Sequence, residues 1–170
     1  MWKFLLPDFY VKDIFQIDFE YLKQKSIKAI LIDLDNTLLP WNSCEIDDQL
    51  IEWIRRGREE GFKFCIVSNN RAHRIKTCSE KLGIPAVTGA FKPGKRVFLK
   101  GMEITGTSVK ETAFVGDQLF TDVLGAKRLG MMVILVRPIS DREFFWTKII
   151  RLLERKLINL MERKGLLKKF

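Results

Sequence analysis

Apolar runs and amphipathic stretches alternate along this chain, and the alternation restricts its possible folds more than any other feature. Runs typical of buried strands occupy residues 29–32, 62–67, 86–88, 112–115 and 131–136. Stretches with helical spacing lie between or after them, at residues 46–60, 72–82, 95–102 and 122–129. Strands that alternate with helices in this way are typical of βαβ units. The sequence therefore predicts an α/β fold in which helices sandwich a parallel, Rossmann-like sheet.

The charge balance limits the classes of partner that such a domain is expected to bind. Thirty Lys and Arg against 21 Asp and Glu give a net charge of +9, which favours phosphate, nucleic acid or an anionic membrane. The 170 residues, 46% of them hydrophobic, suit one folded domain. Because Cys44, Cys65 and Cys78 form no CxxC pair and leave one cysteine over, we expect reduced thiols and a cytoplasmic location. No apolar run in the sequence is long enough to span a membrane.

Two aspartates, Asp33 and Asp35, directly follow the first predicted strand. Ligands of parallel sheets bind at the carboxyl ends of the strands, so both carboxylates are expected at the ligand site. The two aspartates can take different catalytic roles in phosphoryl transfer. Asp33 would attack phosphorus, while Asp35 would protonate the leaving oxygen and later take a proton from water. Taken alone, the pair has a plainer explanation as a solvated helix cap.

Three further predicted strands end in groups that fit the same chemistry. Ser68 and Asn69 offer a hydroxyl and backbone N–H groups to a phosphoryl oxygen, and they equally suit the N-terminal cap of the next helix. Lys92 can neutralise a transferring phosphoryl group, although an isolated lysine is more often a surface residue. Asp117 and Asp122 follow the predicted strand at residues 112–115 and add two carboxylates.

Four carboxylates that converge, those of Asp33, Asp35, Asp117 and Asp122, require a cation. At 4 Å and an effective dielectric of 20, each pair of like charges repels by about 4 kcal/mol. A divalent cation removes this penalty. All-oxygen ligation beside a phosphate favours Mg²⁺ over softer metals, so Mg²⁺ is the predicted cofactor.

The ordered set of these motifs resembles the haloacid dehalogenase (HAD) superfamily of phosphohydrolases. The resemblance covers residues 30–136 and depends on the Asp-x-Asp-x-Thr motif at 33–37, on Ser68, on Lys92-Pro93 and on Gly116-Asp117 with Asp122. An aspartate two residues after the nucleophile is typical of the phosphatase branch. The residues around the motifs are similar to the small bacterial class IIIA subgroup of the YqeG type. That subgroup is in turn similar to the phosphatidylglycerophosphate phosphatases of mitochondria.

The resemblance implies a role for each matching residue. Asp33 would form an aspartyl-phosphate, and Asp35 would act first as general acid and then as general base. Ser68 would hold the phosphoryl oxygen, and Lys92 would stabilise the intermediate. The ligands of Mg²⁺ would be Asp33, the backbone carbonyl of Asp35, and Asp117. Whether the aspartate at position 122 is a direct ligand or lies behind the ligands stays open.

Residues next to the motifs are candidates for contact with the substrate. Asn36 and Asn70 are expected to orient the site or to face the substrate. Arg71 and Arg74, beside the second motif, could hold a second phosphate, or they could simply be solvated on a helix. For Trp41, packing and substrate contact are equally good explanations.

The spacing of the motifs leaves no room for a cap domain over the site. Between Asp33 and Ser68, and again between Ser68 and Lys92, the chain has room for one helix and one strand. An open site suits a bulky substrate such as a lipid head group, a protein or a nucleic-acid end. It also suits a small phosphate if a neighbouring subunit of a homo-oligomer supplies the lid.

Residues 141–170 are expected to form a basic amphipathic C-terminal helix of the same domain, whose phosphatase core occupies residues 1–140. From Phe144 onward, apolar residues recur at three- and four-residue spacing: Trp146, Ile149, Ile150, Leu153, Leu157, Leu160 and Met161. Basic residues, including Arg151, lie off this stripe. Nine Lys and Arg against four Asp and Glu favour contact with an anionic membrane surface, and packing on the sheet is an equally good explanation. We expect residues 144–153 to dock on the core and residues 157–170 to remain free for lipid.

The N-terminal segment contributes four aromatic residues, Trp2, Phe4, Phe9 and Tyr10. They could face lipid, cover an edge of the core or form a subunit interface. The sequence does not choose among these arrangements.

Together these features favour a Mg²⁺-dependent phosphomonoesterase that acts through an aspartyl-phosphate. The resemblance implies phosphatidylglycerophosphate as the substrate and an anionic lipid head group as the partner, at the inner face of the cell membrane. An enzyme of the same chemistry that acts on a soluble phosphate, a nucleotide or a phosphoprotein is the alternative. A non-catalytic scaffold that binds membrane or RNA is a remote alternative, because the set of catalytic residues is unbroken. Nucleic acid is therefore only a minor alternative as the partner.

Overall fold

Parallel strands form one sheet in this computed structural model, which describes residues 2–140 and 145–170. In chain order the strands are β1 (Phe9–Val11), β2 (Ala29–Ile32), β3 (Lys63–Val67), β4 (Ala86–Val87), β5 (Thr112–Gly116) and β6 (Met132–Val136). The helices are α1 (Phe19–Gln24), α2 (Asp48–Glu59), α3 (Ala72–Leu82), α4 (Lys95–Thr105), α5 (Leu124–Leu129) and α6 (Phe145–Arg163). The strand order is β1-β6-β5-β2-β3-β4, which confirms the predicted α/β fold.

The strand register brings the predicted motifs to one edge of the sheet. Ile32, the last residue of β2, lies opposite Ile66 of β3 and Val115 of β5. Because all of these pairings are parallel, the loops that follow β2, β3 and β5 leave the sheet side by side. Asp33 begins the first of these loops, and its backbone N–H donates to the carbonyl of Val115 at 2.9 Å.

Helices cover both faces of the central strands, which explains why β2 is an uninterrupted apolar run. Successive side chains of a strand point to opposite faces. Ile30 and Ile32 join a buried cluster that includes Trp53 of α2, whereas Leu31 joins the cluster on the other face, together with Phe98 of α4. The core is therefore divided into two layers by the sheet.

The aromatic N-terminal segment contains a strand that the sequence pattern did not predict. Phe9 and Tyr10 are buried in β1, which pairs in parallel with β6, so they cover an edge of the core. The phenyl ring of Phe170 stacks on that of Phe9 with centroids 4.1 Å apart, while Phe4 is exposed. A three-residue strand is too short to give a period-2 signal, which explains the miss. The side chain of Trp2 lies outside the described residues.

The segment after β5 differs from the prediction of one helix over residues 122–129. A π-helical turn, Leu119–Val123, comes first, and α5 follows it directly. Such turns are frequent at functional sites. The turn carries Asp122, one of the predicted site residues.

Cys44 and Cys78 form a disulfide, so the prediction of reduced thiols is wrong for these two cysteines. Cys65 is free and buried. Cys44 lies in the loop after β2, and Cys78 lies on α3, which follows the neighbouring strand β3. The two are 34 residues apart in sequence, so their closeness depends on the sheet order and not on any local motif.

Between residues 149 and 154, α6 faces the core with charged side chains, where apolar side chains were expected. Arg151 and Glu154 are only 6% and 1% exposed, whereas Ile149, Leu152 and Leu153 are 45%, 60% and 54% exposed. The expectation that the apolar stripe of residues 144–153 docks on the core is therefore wrong for 149–153, and the expectation that 157–170 remain free for lipid is wrong as well. Apolar anchoring instead comes later: Met161 is fully buried.

Residues 141–144, including Phe144, and the side chain of Trp146 lie outside the described residues, so those parts of the predicted apolar stripe stay predictions. Within the ranges that are described, no helix is both long enough and apolar enough to cross a membrane.

Candidate active site

A buried lysine joins two of the predicted aspartates. The Nζ atom of Lys92 lies 2.5 Å from Oδ1 of Asp33 and 2.6 Å from Oδ1 of Asp122. All three side chains are buried. The Asn69 side chain holds the backbone of this lysine. Its amide oxygen accepts from the backbone N–H of Lys92 at 2.7 Å, and its amide nitrogen donates to the backbone carbonyl of Lys92 at 3.0 Å. Three residues that are distant in sequence thus form one charged cluster.

Asp122 organises the loop that carries Asp117. Its Oδ2 accepts from the backbone N–H groups of Asp117 and Gln118, each at 3.0 Å, while its Oδ1 faces Lys92. Gly116 is required here for space, because a Cβ atom at this position would collide with the Asp122 carboxylate. Both oxygens of Asp122 are therefore engaged within the protein.

Three buried carboxylates provide a set of oxygens that a hard cation could use. One oxygen each from Asp33, Asp117 and Asp122 lies within 4.8 Å of the other two. This all-oxygen donor set suits Mg²⁺. The residues that are present therefore fit the predicted cofactor.

Burial shapes the charge states of the cluster. It raises the pKa of Asp33 to about 7, although the nearby Lys92 ammonium works against the rise. Burial also raises the pKa of Asp117 well above its usual range, and the Arg151 guanidinium works against that rise. For Lys92, burial alone would lower the pKa, but Asp122 and Asp33 raise it. Burial thus favours the neutral acids of Asp33 and Asp117, and the cations Lys92 and Arg151 oppose this effect.

Asp35 is held from two sides by residues that were predicted to face the substrate. Asn70 donates from Nδ2 to Oδ2 of Asp35 at 2.7 Å. Nη1 of Arg74 lies 2.7 Å from the other carboxylate oxygen, and its Nη2 donates to the Ser43 carbonyl at 2.6 Å. The N–H of Asn42 also donates to Oδ1, at 3.2 Å. The structure thus brings Asn70 and Arg74 to the predicted general acid.

Asn36 shapes the loop that follows the nucleophile position. Its φ of 61° lies in the left-handed region, which asparagine tolerates better than most residues. The buried side chain accepts from the N–H of Trp41 at 3.3 Å and from the hydroxyl of Ser140 at 2.8 Å. Trp41 is half-buried. Asn36 therefore has a clear role in holding this turn.

Ser68 and Arg71 bound the loop after β3. Ser68 is buried, and its hydroxyl accepts from the N–H of Asn70 at 3.2 Å. Arg71 is exposed and stands at the N-terminal cap of α3, where its side chain makes no capping hydrogen bond.

Two residues of α6 reach the site, and the sequence pattern did not single out either of them. Arg151 donates to the Asp117 carboxylate through Nη2 and to the Asp117 carbonyl through Nη1, the latter at 2.6 Å. Glu154 accepts from the N–H of Phe120 at 3.0 Å, and its other oxygen lies 3.3 Å from Arg151 Nη1. The opposite charges at i and i+3 are the one local signal that these residues form a pair.

Comparison with known proteins gives a consistent result. A family model described as "Mitochondrial PGP phosphatase" matches residues 2–140. "Probable phosphatase YqeG" of Bacillus subtilis (strain 168) is 42% identical over 163 residues, which cover 96% of this chain and 95% of that protein. "Phosphatidylglycerophosphate phosphatase 1, chloroplastic/mitochondrial" of Arabidopsis thaliana is 30% identical over 174 residues, with 96% of this chain but only 50% of that protein covered.

A solved structure extends the comparison to the fold. A predicted HAD-like family hydrolase from Porphyromonas gingivalis matches with a TM-score of 0.54 and 15% identity, over 75% of this chain and 98% of that one. At this identity the likeness concerns the fold alone. Helix α6, with Arg151 and Glu154, begins after the region that the family model covers.

Proposed function

This chain belongs to the mitochondrial PGP phosphatase family and is a phosphatase of the HAD superfamily, and from that membership we propose that it dephosphorylates phosphatidylglycerophosphate. The observation that carries the proposal is the buried cluster in which Lys92 joins Asp33 and Asp122 beside Asp117. We further propose Mg²⁺ as the cofactor and an aspartyl-phosphate as the intermediate.

The reaction proceeds in two steps that use the aspartate pair. A carboxylate oxygen of Asp33 attacks phosphorus, the ester P–O bond breaks, and the leaving oxygen takes a proton from Asp35. Asp35 then takes a proton from water as that water attacks the aspartyl-phosphate, which releases phosphate and restores Asp33. Lys92, already at Asp33, offsets the negative charge of the phosphoryl group. The Ser68 hydroxyl and the Asn69 N–H hold phosphoryl oxygens.

The ligands proposed for the cation are Asp33, the Asp35 carbonyl and Asp117. When bound, Mg²⁺ neutralises the carboxylates and the phosphoryl oxygens. Asp122 lies behind these ligands, because one of its oxygens faces Lys92 and the other accepts two backbone N–H groups.

Arg74 is suited to the second phosphate of the proposed substrate. In phosphatidylglycerophosphate the leaving oxygen belongs to a glycerol whose other end carries a phosphodiester. That diester must lie beyond Asp35, which protonates the leaving oxygen, and Arg74 already contacts Asp35. The exposed Arg71 at the start of the same helix adds positive charge. Trp41 is half-buried in the loop after β2, and we propose that it contacts the glycerol.

The test is phosphate release from phosphatidylglycerophosphate in mixed micelles, compared with a panel of sugar phosphates, nucleotides and phosphopeptides. We expect kcat/KM for the lipid to exceed that for every soluble compound by about tenfold or more, since one extra ionic contact contributes roughly that factor. EDTA should abolish turnover and Mg²⁺ should restore it. A soluble phosphate that is hydrolysed faster would replace the lipid as the substrate.

We propose that the protein also binds peripherally to the anionic inner face of the cell membrane through α6. The outward apolar side chains of Ile149, Leu152 and Leu153 can enter the lipid boundary. Residues 145–170 carry eight Lys and Arg against two Glu, which complements an anionic surface. Charge and apolar exposure thus support the same partner.

Replacing Leu152 and Leu153 together by serine is expected to weaken binding to anionic vesicles by about tenfold or more, because two leucine side chains no longer leave water. Co-sedimentation with phosphatidylglycerol vesicles measures the change. The matched control is Ile51→Ser, which removes an aliphatic side chain of similar exposure from α2. Equal binding by the double variant and the control would contradict membrane attachment through α6.

A further inference from the structure

Residues 149–156 of α6 are attached to the core by polar contacts. Among residues 149–156, whose side chains are described, only Arg151 and Glu154 are buried. The apolar side chains of this stretch point outward. The later part of the helix is anchored differently, through the buried Met161, and after the helix the Lys168 carbonyl accepts from the Tyr10 N–H at 2.7 Å.

These polar contacts end on the loop of the active site. Arg151 binds both the carboxylate and the backbone carbonyl of Asp117, and Glu154 accepts from the N–H of Phe120 three residues later. The Thr37 hydroxyl is the other described partner of the Asp117 carboxylate, at 3.3 Å. Thus one segment of α6 contacts both a proposed metal ligand and the turn that follows it.

We propose that residues 149–156, called the latch below, control access of the divalent cation to Asp117 through Arg151. When the latch is closed, the guanidinium neutralises Asp117 and disfavours a cation there. When the apolar side of the latch enters an anionic lipid surface, Arg151 leaves Asp117 and the carboxylate becomes available. This inference rests on the proposed function of the site as a Mg²⁺-dependent phosphatase at a membrane.

The charges of the cluster explain the competition. When they are ionised, Asp33, Asp117, Asp122 and Glu154 contribute four negative charges, and Lys92 with Arg151 contributes two positive ones. With the latch closed the cluster thus keeps a net charge of −2, and the Arg151 guanidinium offsets the charge of Asp117 directly. Without Arg151 it carries an additional negative charge in a buried site, where attraction for a divalent cation is much stronger than at the surface.

The outer side of the latch explains why lipid would open it. Leu152 and Leu153 are more than half exposed in water, so entry into a bilayer removes apolar surface from water. Opening breaks the polar bonds of Arg151 and Glu154, while the apolar anchor at Met161 lies outside the latch. The contacts of residues 149–156 can therefore break while the later part of the C-terminal segment stays attached at Met161 and Lys168.

The first test is Mn²⁺ binding to the full chain at pH 8 without lipid, followed by the loss of the free-ion EPR signal. Arg151→Gln is expected to bind Mn²⁺ about tenfold more tightly than the parent protein, because one positive charge leaves the site. Lys156→Gln removes the same charge from an exposed position of the same helix and should bind Mn²⁺ as the parent does. Unchanged or weaker binding by Arg151→Gln would overturn the proposal.

A second test needs no variant. Hydrogen exchange of the Phe120 amide, which donates to Glu154, reports whether the latch is closed. On phosphatidylglycerol vesicles we expect this amide to exchange about tenfold faster or more, with no change on neutral phosphatidylcholine vesicles. Unchanged exchange in vesicle-bound protein would overturn the latch. Neither test uses a phosphorylated substrate, so a wrong substrate assignment would leave both results intact.

Discussion

Asp33→Asn is expected to lower the rate of phosphate release by at least about 10³-fold, because the amide of asparagine cannot form the aspartyl-phosphate. The measurement is turnover of an aryl phosphate in the presence of Mg²⁺. The fold should survive, since Lys92 keeps Asp122 as an ionic partner and the variant buries one negative charge fewer.

Asp48→Asn is the matched control for this prediction. Asp48 is exposed in the first turn of α2, and the same change of chemistry there should leave turnover unchanged. Activity of Asp33→Asn within tenfold of the parent protein, together with an unchanged circular dichroism spectrum, would contradict the assignment of Asp33 as nucleophile.

Lys92→Met is expected to lower the free energy of unfolding by about 3–5 kcal/mol, because it leaves two buried carboxylates without their shared cation. Urea unfolding in EDTA, followed by circular dichroism, measures the loss. Added Mg²⁺ should restore part of it and should stabilise the variant more than the parent, since a bound cation replaces some of the missing charge.

The control for the lysine is Lys100→Met, an exposed position on α4 where the same substitution should change stability by no more than about 0.5 kcal/mol. A loss below about 1 kcal/mol for Lys92→Met would show that the ion pairs with Asp33 and Asp122 contribute little to the fold.

The parts of the site that the sequence predicts are those that directly follow a strand. Asp33, Ser68 and Asp117 come within two residues of the ends of β2, β3 and β5, and parallel pairing places such residues at one edge. Lys92 stands further from β4, and the Asn69 side chain fixes its loop. For these residues, strand order and register determine the position without detailed packing.

Contacts that depend on how a helix docks could not be predicted in the same way. Helical spacing identifies the apolar stripe of α6, but two charged side chains dock inward and leave Leu152 and Leu153 in water. The contact of Arg74 with Asp35 likewise depends on the angle at which α3 leaves the sheet. The disulfide between Cys44 and Cys78 has the same origin. Each of these contacts depends on tertiary packing, which the spacing of apolar residues in the sequence does not reveal.

The place of β1 in the sheet has a consequence for the order in which the chain assembles. Its residues pair with Ile134, Leu135 and Val136, more than a hundred positions further along. During synthesis β1 therefore stays unpaired until β6 is available, whereas β2, β3 and β5 can already pair with one another. Contacts of such long sequence separation slow folding, because the loop between them must close first. We therefore expect assembly of this sheet to begin at its centre and to be completed at the edge that β1 forms.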